Sequence, residues 1–113
     1  MEYVNQVELV GRVSGREEPR VLPSGDAVTT VRVVVPRPAA PGDDRTHVDT
    51  IDVACWSART RRVADSLAAG EVVAVSGALR RRFFRAAGGV GSRYEVEAAR
   101  LVRRRMPPGA ARG

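Results

Sequence analysis

The strongest constraint on this chain is an alternation of apolar residues that recurs in short runs, each broken by proline or glycine. Val7, Leu9, Gly11 and Val13 share one parity; Glu8, Val10 and Arg12 share the other. Successive side chains of a strand point to opposite faces, so this run reads as a strand with one buried face. Val31, Val33 and Val35 repeat the pattern against Thr30, Arg32 and Val34. Between the two runs, the charged stretch Arg16–Pro19 reads as a bend. Leu22-Pro23-Ser24-Gly25-Asp26 reads as a turn, because proline presets φ and glycine accepts positive φ. Pro36–Asp44 contains three prolines, which donate no ladder hydrogen bonds, and reads as a long hairpin loop.

A third strand is predicted from about Thr46 to Trp56. Arg59–Ala69 is the one good helical segment: Val63 and Leu67 stand four apart, Ala64 and Ala68 lie beside them, and Gly70 occupies a C-terminal cap position. A fourth strand starts at Glu71 and runs past Leu79 into Arg80–Phe84. Gly77 interrupts it where a bulge or barrel corner needs a glycine. Ala86–Gly91 reads as a flexible loop tip, and Arg93–Val102 as the fifth strand. The segment 106–113 has no periodicity and reads as a disordered tail behind a single domain of residues 1–105. Three strands, a short helix, then two strands imply an all-β fold. This order fits the five-stranded OB-fold, a Greek-key barrel with a helix between strands three and four, which binds oligonucleotides.

Charge adds a direction. All 19 basic residues are arginine, against 13 acids. From Arg80 to Gly113 there are ten arginines against two acids, Glu95 and Glu97; the preceding residues are slightly acidic. An arginine-preferring genome explains the missing lysine but not this asymmetry, which suggests a polyanion-facing surface.

Several classes drop out. The single cysteine, Cys55, permits no internal disulfide or cysteine-cluster metal site, and the single histidine, His47, argues against a zinc centre. No apolar run approaches the roughly 20 residues of a membrane span. The first residues lack the features of a signal peptide, so a cytoplasmic, nucleoid-associated location is expected. Asp43, Asp44, Asp49 and Asp52 are close in sequence, as in a metal-dependent nuclease. However, Asp49 and Asp52 are three apart on a strand and face opposite ways, and the other two lie in the loop. No serine has a histidine partner for a nucleophilic triad. Glycine-rich 88–91 fails as a phosphate-binding loop, since neither helix nor lysine follows. No enzyme activity, metal or cofactor is expected.

The sequence resembles the bacterial single-stranded DNA-binding proteins over about residues 4–103. The opening strand Asn5–Val13, the turn Pro23-Ser24-Gly25 and the strand Val31–Val35 carry the likeness. So do Val53-Ala54-Cys55-Trp56, Val63-Ala64, Leu67, Gly70, Val73, Val75, Gly77, Leu79, Arg80, Arg82 and the run Arg93-Tyr94-Glu95-Val96. The resemblance implies single-stranded DNA as partner, roles in replication, recombination and repair, and a homo-oligomer, most often a tetramer. The family usually ends in an acidic tip that recruits other proteins. This chain ends after Arg103-Arg104-Arg105 and a basic tail, so recruitment by that route is not expected. Relatives also carry aromatics in the loop after strand two and early in strand three, where this chain has alanines, prolines and Thr50.

Binding a single strand takes a positive groove for phosphates and aromatic faces for bases. Ile51, Val53 and Cys55 share the apolar parity, which puts Trp56 on the other face as an exposed stacking platform. Arg80, Arg82 and Phe84 alternate on one face of strand four as a basic, aromatic stripe. Arginine suits it, since its fork pairs with phosphate and its plane stacks on bases. Phe83 lies opposite with Arg81 and Arg85. Arg20, Arg32, Arg93 and Tyr94 are further candidate contacts, and Arg103–Arg105 reads as a loose electrostatic tether. Two other readings share this fold: an accessory OB-fold protein of replication restart acting through protein contacts, and an RNA-binding OB module.

Overall fold

A computed structural model of the chain describes residues 1–43 and 45–105. It is built from β1 (Val7–Arg16), β2 (Arg20–Val21), β3 (Ala27–Pro36), β4 (Val48–Cys55), α1 (Ala58–Ser66), β5 (Val72–Ala86) and β6 (Gly89–Arg104). The strand order is β1-β5-β6-β4-β3-β2, and a further β1–β3 pairing closes the sheet on itself. The expected five-stranded OB barrel is thus present, with the two-residue β2 added at its rim. Closure works because β1 changes partner midway. Val7–Arg12 pair with β5, and Arg12–Arg16 pair with β3 across a register shift between Val13 and Gly15. A short parallel pairing, Val53 with Val96 and Ala54 with Glu97, joins β4 to β6.

The predicted apolar parity lines the barrel. Val13, Val31, Val33, Val53, Cys55, Val73, Val75, Val96, Ala98 and Leu101 form one buried cluster. Each buried valine contributes roughly 1.5–3 kcal/mol relative to exposure. The helix plugs one end with Ala64 and Leu67. Ser57 caps its N-terminus, its Oγ accepting from the Thr60 N–H at 3.1 Å. At the other end, α1 stops at Ser66 and Leu67 is the cap residue, so Gly70 does not end the helix. Gly70 instead sits in the following turn, where its N–H donates to the Val13 carbonyl at 2.8 Å. Arg16 completes the helix end by donating to the carbonyls of Asp65 and Leu67 at 2.8 and 2.9 Å.

The hairpin tip also differs from the sequence reading. Gly77 does mark a register shift, because a Cβ there would stand 2.0 Å from the Glu97 carbonyl oxygen. Beyond it, β5 and β6 form a hairpin whose ladder continues to Ala86 and Gly89. The expected loop 86–91 therefore shrinks to the turn Ala87–Gly88. Its small residues show no alternation, yet backbone pairing needs none. The predicted tail 106–113 lies outside the described residues, as does Asp44.

Candidate nucleic-acid interface

The outward parity of β3, β4, β5 and β6 converges on a cleft of about 360 Å³. Arg20, Trp56, Arg82, Phe84 and Arg93 line it, so five of the eight candidate residues come together. The cleft floor is Val28, Thr30 and Ala54, and its wall includes Glu95. Arg20 reaches it because β2 folds back on Val28 across the Leu22–Asp26 turn.

Trp56 is half-buried rather than fully exposed. The Arg82 guanidinium lies over its ring, 5.1 Å from the centroid. Its indole N–H is buried and has no acceptor among the described residues. The pattern of strand three put Trp56 on the correct face, but nothing in it foretold the arginine that crosses from β5. Phe84 is the more open ring. It rests on Gly91 across the hairpin, where a Cβ would come within 2.7 Å of the ring, so glycine lets the aromatic lie flat on the backbone.

The carboxylates change the electrostatics. Arg82 Nε donates to Glu95 Oε2 at 2.8 Å, and Arg93 Nε lies 3.9 Å from Oε1 of the same group. Glu95 is only 5% exposed, so both arginines cover it. A buried carboxylate needs such partners, and in return it holds Arg82 in place between its own charge and the Trp56 ring. Summed along the chain, the last third is strongly basic. In space its two acids stand among the arginines of the stripe.

Three candidates lie elsewhere. Arg80 pairs with Glu97 at 2.7 Å and lines a more open depression over the Gly77 bulge, outside the cleft. Arg32 stands opposite Asp52, 3.8 Å away, beyond the cleft floor. Tyr94 projects from the other face of the hairpin, with its ring under the Arg81 guanidinium at 5.5 Å. The sequence reading missed Phe83 as a cleft residue. Alternation puts it on the far face, yet it reaches the cleft margin. Leu22, Thr30 and Glu95 were missed as well; only the fold brings them there.

Within the cluster Arg103–Arg105, Arg103 has structural partners. Arg103 is no loose tether: its Nε donates to Glu71 at 2.6 Å and its Nη2 to the Ser66 carbonyl at 3.1 Å. That bond, aided by the Ala68 N–H, holds the Glu71 carboxyl below its ordinary range. Asp49 accepts from Arg37, while Asp43 is bonded to Arg45 and lies 3.3 Å from His47. Burial pushes the Cys55 thiol up to about 12, which removes it as a nucleophile at neutral pH. No helix of the described residues is long and apolar enough to cross a membrane.

Comparison with known proteins meets this geometry from outside. Residues 4–103 match the single-strand binding protein family, the stretch over which the sequence resembled it. Single-stranded DNA-binding protein 3 of Listeria innocua is 33% identical over 93 residues, 82% of this chain and 57% of that protein. The single-stranded DNA-binding protein of Treponema pallidum is 30% identical over 102 residues, 89% of this chain and 58% of that one. The chain thus spans little more than half the length of these relatives. Among solved structures, the Plasmodium falciparum SSB in complex with ssDNA superposes with a TM-score of 0.76 at 18% identity, covering 93% of this chain and 98% of that one. The wild-type protein from Thermus aquaticus superposes at 0.73 with 22% identity, covering 90% of this chain and half of that one. Fold and family model agree, and the chain belongs to the single-strand binding protein family.

Proposed function

We propose that this protein binds single-stranded DNA without sequence preference, in replication, recombination and repair, by threading the strand through the cleft between β2 and the β5–β6 hairpin. The observation that carries this is the stacked pair of Arg82 and Trp56, with Phe84, Arg20 and Arg93 around it. Bases stack on the rings and on the guanidinium plane, each worth about 1–3 kcal/mol, while arginine forks take the phosphates. Glu95 stays paired and holds Arg82 in register, while the arginine N–H groups it does not use face the phosphates. The action is binding without chemistry, and the cell's DNA makes the cytoplasm its place of work.

We further propose a homotetramer. The outer face of β1, β5 and β6 carries a row of Val10, Ala74 and Val102, with Val10 48% and Val102 39% exposed. On one side of it stands the row of Glu8, Ser76 and Arg100, and on the other the row of Arg12, Val72 and Arg104. Turned about a two-fold axis through the apolar row, Glu8 of one copy meets the Arg12 row of the next, an isologous contact that makes a dimer, and the tetramer pairs two such dimers through a second two-fold contact.

Trp56 is the sole tryptophan, so its fluorescence reports on the cleft. Titration with single-stranded oligo-dT is expected to change it strongly and duplex DNA weakly. If about four phosphates are contacted, log K falls with log salt at a slope near −3. Equal response to duplex, or a flat salt dependence, overturns the reading. Tighter binding of RNA than DNA would favour the RNA alternative. Sedimentation as a monomer at micromolar concentration removes the tetramer.

A further inference from the structure

The β5–β6 hairpin carries an open strand edge. β5 has two neighbours: β6 along its whole length, and β1 only as far as Gly77. Just ahead of β1, Asn5 adds one last contact. Its Nδ2 donates to the Leu79 carbonyl and its Oδ1 accepts from the Leu79 N–H, both at 2.9 Å. The residues before it leave the sheet, with Tyr3 90% and Val4 77% exposed. Backbone groups alternate between the two sides of an antiparallel strand. The N–H and C=O groups of Arg81, Phe83 and Arg85 therefore point the same way as those of Leu79, away from β6. No described strand takes them up. The three side chains share one face and are exposed. Arg81 and Arg85 have no carboxylate partner among the described residues, whereas Arg80 and Arg82 on the other face are paired with Glu97 and Glu95.

We infer that this edge receives an extended acidic peptide of another protein as an added strand, antiparallel to β5 as β1 and β6 are. Acidic side chains stand opposite Arg81 and Arg85 and an apolar one opposite Phe83, a spacing of i, i+2 and i+4. Backbone chemistry selects a peptide. The edge offers donors and acceptors in alternation, and a strand supplies both partners. Phosphates accept but do not donate, and would leave the three carbonyls unmet. Charge selects the acidic residues, since opposite charges across a strand pair attract. It also disfavours a second copy of the same edge. Two-fold pairing centred on Phe83 would set Arg81 of one copy opposite Arg85 of the next, and like charges directly opposite destabilise a sheet.

The inference needs the fold alone, so it stands or falls apart from the cleft. The probe is a synthetic peptide whose centre reads Glu-Thr-Val-Thr-Glu, added to the intact chain and followed by NMR amide exchange. At saturation, exchange at Arg81, Phe83 and Arg85 is expected to slow by about tenfold or more, while Arg80, Arg82 and Phe84, whose N–H groups face β6, change little. The same peptide N-methylated at its central valine keeps its charge and is expected to bind about 5–100-fold more weakly, because the Phe83 carbonyl loses its donor. Arg81→Gln with Arg85→Gln weakens binding by up to about fivefold for each arginine. Arg85→Pro weakens it more than Arg85→Gln, since proline removes an edge N–H and leaves the ladder to β6 intact. Equal binding of the N-methylated peptide overturns the inference by reducing the contact to charge. Unchanged exchange at the three edge residues overturns it by leaving the edge empty. Slow exchange there in the protein alone does so as well, because a second copy or the residues before Asn5 would then cover the edge. So does oligo-dT that protects the three groups where the peptide does not.

Discussion

Arginine does two different things at the two ends of this molecule. Around the helix, Arg16, Arg61 and Arg103 donate to backbone carbonyls and to Glu71, closing the end of the barrel. On the hairpin, Arg81 and Arg82 lie over aromatic rings, Arg81 exposed and Arg82 half-buried with its Nε on Glu95. The residue type is the same, and net charge counts both alike. The difference teaches that a basic sequence overstates its binding surface. An arginine whose donors are spent on carbonyls is part of the fold; one stacked on a ring at a cleft is available to a ligand.

This contrast is broken most directly at Arg16. Arg16→Ala strips charged donors from the helix end, each worth about 1.5–3 kcal/mol. The expected result is a fall in stability of about 2–3 kcal/mol by denaturant unfolding, with affinity for oligo-dT unchanged once folded. Loss of affinity in step with stability would mean that the two ends are not separate. Phe84→Ala reverses the pattern at the hairpin: affinity falls by about 1–2 kcal/mol while the melting temperature barely moves, because the ring is nearly half exposed on Gly91.

The smallest effect concerns Glu71 and acid. Its carboxyl is held low in the folded state, so the unfolded chain binds its proton first as pH falls. The Glu71–Arg103 contribution is therefore complete above the ordinary carboxylate range. It declines below that range and is lost once pH passes the lowered folded value. Acid unfolding of wild type against Glu71→Gln is expected to show a stability gap at neutral pH that closes on acidification. A gap that stays constant with pH would detach Glu71 from the fold's acid response.

Much of the architecture was legible in the residues. Apolar alternation located the main strands, because a one-sided core imposes a period of two on every strand that borders it. Gly77 was legible because close backbone approach excludes a Cβ. The hairpin tip and β2 were not, since their ladders depend on backbone groups and carry no side-chain period. Within the site, parity placed Trp56, Arg82 and Phe84 on one face. Parity also sets Tyr94 on the face opposite Arg93. It could not place Arg80 outside the cleft, or bring Phe83 to its margin, because a period of two assigns a face and not the stretch of that face a cleft reaches.

By itself, the sequence determined the all-β order, the buried parity, the family and the presence of excess arginine. Those are properties of local period and composition, which survive without knowledge of distant neighbours. Only the tertiary structure decided which arginines are neutralised. Glu95 and Glu97 look like two scattered acids along the chain. Antiparallel pairing with β5 sets them beside Arg82 and Arg80 at 2.8 and 2.7 Å, and leaves Arg81 and Arg85 on the other face. Electrostatic energy depends on distance through space, and strand pairing, not sequence separation, sets that distance.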